Sequence, residues 1–173
     1  MVKTVEFEVL RKIGNVEIRQ YPEILLATVT GMEDDSSFGI LFNYINGHNL
    51  SRKKVAMTSP VISSEKIPMT APVISDSRFF TFVLPDNYTL ETVPKPEDPR
   101  VNIHVQPARK FAVLRFGGRT NSAAVERESG RLLKCLADNG MPTRGGVFLM
   151  RYNSPFAPGF MRRNEVGIEI VGN

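Results

Sequence analysis

The 173-residue chain has no tryptophan, one cysteine and only two histidines. A lone Cys135 excludes an intrachain disulfide and a thiolate metal cluster, so stability must come from packing. His48 and His104 are far apart, with no H-E-x-x-H pair and no cluster of carboxylates at ligand spacing, so no dedicated metal site is expected. Long hydrophobic runs are missing too. The longest, Ile24 to Val29 with Thr28 inside it, falls far short of the roughly 18 to 20 residues that span a bilayer. Residues 1 to 6 alternate apolar with polar where a secretory signal would be continuously apolar. Together these absences predict a cytoplasmic protein without membrane insertion. There is also no G-x-S-x-G elbow, P-loop or G-x-G-x-x-G, which leaves serine-hydrolase, nucleotide and Rossmann readings without support.

What is present is ordinary for a globular chain: 42% hydrophobic and 23% charged residues. One domain over 1–173 is expected, able to bury roughly 70% of the surface its unfolded chain exposes. The net charge of +4 is uneven, because residues 99–173 hold 12 basic side chains against 5 acidic ones. These Arg and Lys residues are dispersed, with no basic run longer than Arg52-Lys53-Lys54, which argues against nucleic acid as a partner.

Val5, Phe7 and Val9 alternate with Glu6 and Glu8, the period of a half-buried strand; Val16 and Ile18 continue it, and residues 24–29 read as a buried strand. Ser36 is placed to cap a helix in which Phe38, Leu41, Phe42 and Ile45 share one face. Ile40 and Tyr44 add apolar surface on another side, so this helix can pack on a sheet and still offer apolar groups to something else. Two extended, proline-bearing segments follow, at 53–62 and 67–74, expected as edge or irregular strands because proline cannot donate to a sheet ladder, then a strand at 79–84 and a proline-rich loop at 85–99. The order then recurs: strands at 101–105 and 111–116, a helix over about 121–139 with core positions Val125, Ser129, Leu132 and Leu136, then strands at 147–152 and 166–171. Strand, strand, helix, strand, strand therefore appears twice, in halves of about 1–92 and 93–173. The fold class is α+β, with a largely antiparallel, curved or barrel-like sheet.

Few residues carry chemistry. His104 alternates with Ile103 and Val105 and reads as a solvated or hydrogen-bonded strand residue rather than a ligand, whereas His48 lies in a loop just past the apolar helix. Glu165 and Glu169 read either as general acids or as a solvent-facing, salt-bridged strand edge. Gly117-Gly118-Arg119-Thr120 reads either as an anion cradle or as a plain turn and cap.

Several motifs follow one another along the chain. They are Val16-Glu17-Ile18-Arg19-Gln20-Tyr21, the doubled Met57-Thr58-Ser59-Pro60-Val61 and Met69-Thr70-Ala71-Pro72-Val73, Phe116-Gly117-Gly118, Arg151-Tyr152-Asn153-Ser154-Pro155 and Arg163-Asn164-Glu165-Val166. In this order they resemble the SOUL haem-binding protein family. The resemblance implies a distorted antiparallel β-barrel with two helices and two similar halves, related to GyrI-like effector-binding domains. It implies binding of haem or another tetrapyrrole, a small planar hydrophobic anion, in a surface pocket between the first helix and the loop before the last strand. The matching positions are Phe38, Leu41, Phe42 and Ile45, with Phe156, Phe160 and Met161. Where family members carry an axial histidine this chain has Gln20, and Asp35 and Asn43 replace basic propionate partners; His48 is then the substitute axial ligand, and Arg162 and Arg163 the substitute propionate partners. The expected role is buffering, transport or delivery. The alternatives are an enzyme that removes iron from haem or hydrolyses a small molecule, using Glu165 and Tyr152, and an effector-sensing or partner-binding module.

Overall fold

Segments with period-two patterns pair into one ten-stranded sheet, and the two segments with helical periodicity pack on one of its faces. The computed structural model describes residues 3–51, 64–153 and 156–172. In chain order these form β1 (Lys3–Thr4), β2 (Glu8–Ile13), β3 (Val16–Tyr21), β4 (Ile24–Thr30), α1 (Asp34–Ile45), β5 (Asn49–Leu50), β6 (Thr70–Ser75) and β7 (Phe79–Val83). There follow β8 (Lys95–Pro96), β9 (Asn102–Gln106), β10 (Arg109–Gly117), α2 (Ser122–Asp138), β11 (Thr143–Arg151), a 3-10 turn (Gly159–Met161) and β12 (Arg163–Ile170).

Across the main sheet the order is β2-β3-β10-β12-β11-β6-β7-β4-β9, with β1 joined to β6 in parallel and the other pairs antiparallel. From β3 to β9 this order is palindromic with respect to the repeat. Each half lends the first strand of its repeated unit to the other: β3 pairs with β10, and β9 with β4. The halves meet where β6 pairs with β11. The expected barrel does not close, because the path ends at two separate edges, β2 and β9. The β2 edge is blunted by exposed charges, among them Glu8, Arg11 and Lys12.

Alternation divides each strand between two faces. Leu25, Ala27 and Val29 of β4 join Phe80 and Phe82 of β7 under Leu41, Tyr44 and Ile45 of α1. Ala112 and Leu114 of β10 join Val166 and Ile168 of β12 under Leu132 and Leu136 of α2. The helix starts differ. Asn121 caps α2, its side chain accepting from the Ala124 N–H at 2.8 Å. The cap of α1 is Glu33, three residues before the expected Ser36, and it makes no side-chain bond. Tyr44 is buried rather than outward, its hydroxyl donating to the Pro94 carbonyl at 2.7 Å. On α2 the buried residues are Ala124, Glu128, Leu132 and Leu136, with Val125 packed at the margin.

Two extended segments depart from expectation. The 5–9 alternation is split: the Val5 N–H bonds the Ala71 carbonyl at 3.0 Å, and regular pairing with β3 begins only at Glu8. Phe7 is drawn onto the sheet by the Arg19 guanidinium, 4.0 Å from its ring centre, and by the Tyr21 ring. The second Met-Thr-x-Pro-Val copy leads into β6, which is interior rather than an edge or irregular strand. Pro72 is tolerated there because the ladder to β7 shifts register between Thr70 and Val73, where its missing N–H is not needed. The first copy, 57–61, lies outside the described residues.

Candidate functional site

The sheet face away from the helices holds two contrasting patches. At β12, Glu165 points opposite to Val166 and Ile168 and is fully buried in the sheet interior, not at a strand edge. Its Oε2 accepts from Arg19 Nη1 at 2.6 Å and from the Tyr152 hydroxyl at 3.1 Å. Its Oε1 accepts from Arg163 Nη2 at 2.7 Å and from Arg19 Nη2 at 3.2 Å. Arg19, also buried, donates from Nε to Glu17 at 2.8 Å and from Nη1 to the Tyr21 hydroxyl at 2.9 Å. Burial works against the Arg19 charge, but the hydrogen bonds and charge of Glu165 outweigh it and raise its pKa. Burial, then the Glu165 charge, pushes the Tyr152 phenol up, so Tyr152 stays protonated and donates. Both oxygens of this carboxylate are therefore engaged within the cluster. The two residues proposed for catalysis thus form a closed ionic cluster.

Beside this cluster the same face is neutral. A cavity of about 280 Å³ lies against the sheet, with walls that include Leu26, Ile74, Phe79, Val83, Phe111 and Phe148. Its polar edge is Thr28, whose hydroxyl lies 2.7 Å from that of Thr81 and 3.0 Å from His104 Nε2. Burial lowers the His104 pKa, so the imidazole is neutral at neutral pH. Phe148 lies over Gly167, where a Cβ would come within 2.8 Å of the ring. The cavity lining is drawn from strands scattered along the chain, each locally an unremarkable alternating segment, so no short motif announces it.

The residues expected to hold a ligand are only partly brought together. Leu41 and Ile45 are spent on the core beneath α1, and Phe38 packs edge-on against Phe80 and Phe82. Phe42 stacks on Phe38 and remains 45% exposed. Phe156, Phe160 and Met161 are 95%, 88% and 64% exposed. Arg151, which precedes their loop, reaches Asp34 at the start of α1 across 3.6 Å, so the loop leaves the sheet near that end of the helix. His48 lies beyond the opposite end, about 18 Å along a twelve-residue helix. Arg162 Nε donates to the Ala157 carbonyl at 2.8 Å and shapes the loop, whereas Arg163 is committed to Glu165 and lies over the Tyr152 ring. Among the described residues no group of three His, Cys, Asp or Glu side chains could hold a metal ion. In the 117–120 segment Gly117 ends β10 and the chain bends at Gly118, which has φ +91° and whose carbonyl accepts from Asn164 Nδ2 at 2.8 Å.

This is an open α+β sheet with two helices on one face, and the chain belongs to the family described as SOUL heme-binding protein, whose model matches residues 2–169. Among solved structures, the C-terminal domain of EcmrR is similar at 11% identity, covering 91% of this chain and 98% of that one, with a TM-score of 0.57. A hydrolase from Listeria innocua is similar at 14% identity, covering 94% of both chains, with a TM-score of 0.54. At such identities the likeness is one of fold. No curated protein matches the chain. No helix among the described residues is long and apolar enough to cross a membrane.

Proposed function

We propose that this protein binds haem or a related tetrapyrrole reversibly, on the surface presented by α1 and the 3-10 turn before β12, to buffer, carry or deliver it. Family membership across nearly the whole chain is the observation that carries the reading. The exposed side chains support it. Phe42, Phe156, Phe160 and Met161 leave large apolar areas in water, the feature expected where an apolar partner docks. Aromatic faces suit a flat macrocycle, each able to bury roughly 150 to 250 Å². Arg162, and Arg119 beside Gly159, supply cationic groups next to the turn for carboxylates. His48, whose N–H bonds the Asn43 carbonyl beside Phe42, stands at the end of α1 away from the start of the late loop, so this reading holds the ligand by apolar area rather than through that histidine.

Titration with hemin should shift the Soret band and saturate at one per chain; no shift at micromolar protein refutes the reading. Phe156→Asp with Phe160→Asp should weaken binding at least tenfold, and an unchanged affinity would remove the turn from the site. His48→Ala should leave the bound spectrum as it is.

A further inference from the structure

The cavity on the opposite face is too small to enclose a tetrapyrrole. An engineered cavity of about 150 Å³ encloses one benzene ring. At about 280 Å³ the present one is just under twice that size, room for two fused rings and not for four pyrroles. No Lys, Arg, Asp or Glu is among the described residues lining it, although an ion cluster lies on the same face. That separation matters, because a charged ligand would have to leave its hydration shell without a counter-charge. The polar groups that line it are uncharged: Tyr21, Thr30 and Gln106, and one edge where the Thr28 hydroxyl bridges Thr81 and His104. Hydroxyls rotate, and a neutral imidazole has one donor and one acceptor nitrogen, so this edge can give a proton to a ligand oxygen or take one from it. The remaining walls come from rigid strands, with Val5 of the N-terminal segment closing over them. Phe148 is seated by the missing side chain of Gly167, which defines one wall sharply.

We propose that this cavity is a second ligand site, for an uncharged, flat molecule of about two fused aromatic rings carrying one hydroxyl or carbonyl group that bonds to Thr28. It lies on the face away from α1, so it is separate from the tetrapyrrole surface.

The test uses the full chain, with 2-naphthol followed by its own fluorescence. Binding should saturate at one per chain. Ile74→Phe, which fills the cavity, should weaken it at least tenfold while leaving the hemin titration unchanged. Thr28→Val keeps the shape and removes the hydroxyl; it should weaken 2-naphthol severalfold but not naphthalene, and it carries the test alone if Ile74→Phe does not fold. Non-saturable binding overturns the proposal, as does wild-type affinity in either folded variant. Displacement of 2-naphthol by one equivalent of hemin also overturns it, since the two sites would then be one. Loss of hemin binding with 2-naphthol binding intact would strike the tetrapyrrole reading alone.

Discussion

In the palindromic sheet β12 and β7 occupy equivalent places, yet their non-helical faces differ in kind. Glu165 of β12 is met by Arg19, Arg163 and Tyr152, long side chains that fill their half with a closed ionic network. Thr81 of β7 is met by Thr28, a short side chain that leaves space above it. One topology thus carries a filled, charged patch in one half and a neutral cavity in the other. The difference comes from side-chain length and charge rather than from backbone arrangement. A buried charge demands several partners, and those partners consume the volume that neutral hydroxyls leave open.

The sharpest way to break this comparison is to remove the central charge. Glu165→Gln leaves Arg19 buried without its main counter-charge and should cost about 3 to 5 kcal/mol. Thr81→Val in the other half removes one neutral bond and should cost about 1 kcal/mol. Urea unfolding of both variants checks the contrast, and equal losses would erase it. Next in size is Gly167→Ala, which drives a methyl into the Phe148 ring and should cost about 1 to 3 kcal/mol by overpacking; a variant as stable as the parent would show that Phe148 is not seated by that glycine.

The helices extend the comparison at smaller scale. Asn121→Ala removes the α2 cap and should cost about 1 kcal/mol, whereas Glu33→Ala removes no cap bond from α1 and should be near neutral. Thermal unfolding of the pair decides this. Smallest is the pH dependence of the neutral half. The His104 pKa is lowered in the folded state, so the unfolded chain binds the proton more readily. Its contribution is therefore complete above its ordinary value of 6.5 and is lost as pH falls below it through the folded value. His104→Gln should flatten the slope of urea midpoint against pH between 8 and 5, and a slope identical to the parent's would assign the effect elsewhere.

Much of the fold was legible because its signals are local. The 24–29 run, the 111–116 strand and the second helix each show their periodicity locally, and each is found within a few residues of its expected bounds. The repeated order of elements was legible for the same reason. Interior placement was not. Pro72 argued for an edge, and only the shift in the β6–β7 ladder explains how it sits inside the sheet. Glu165 read as an edge or solvent-facing residue because its partner Arg19 is 146 residues away, beyond any sequence window. The apolar face of α1 was visible, but how it divides between core and surface was not: Leu41 and Phe42 are neighbours in sequence, one buried by the sheet and the other in water.

By itself the sequence determined the element types and their doubled order, since these depend on backbone preference and near-neighbour spacing. Only the tertiary structure decided that the repeated units exchange their first strands, that the sheet stays open, that the acidic residue of the last strand is locked in a network, and that a neutral cavity lies beside it. Those features arise where strands distant in sequence converge, and burial, which sets the cost of a charge and the room left for a ligand, exists only after they have met.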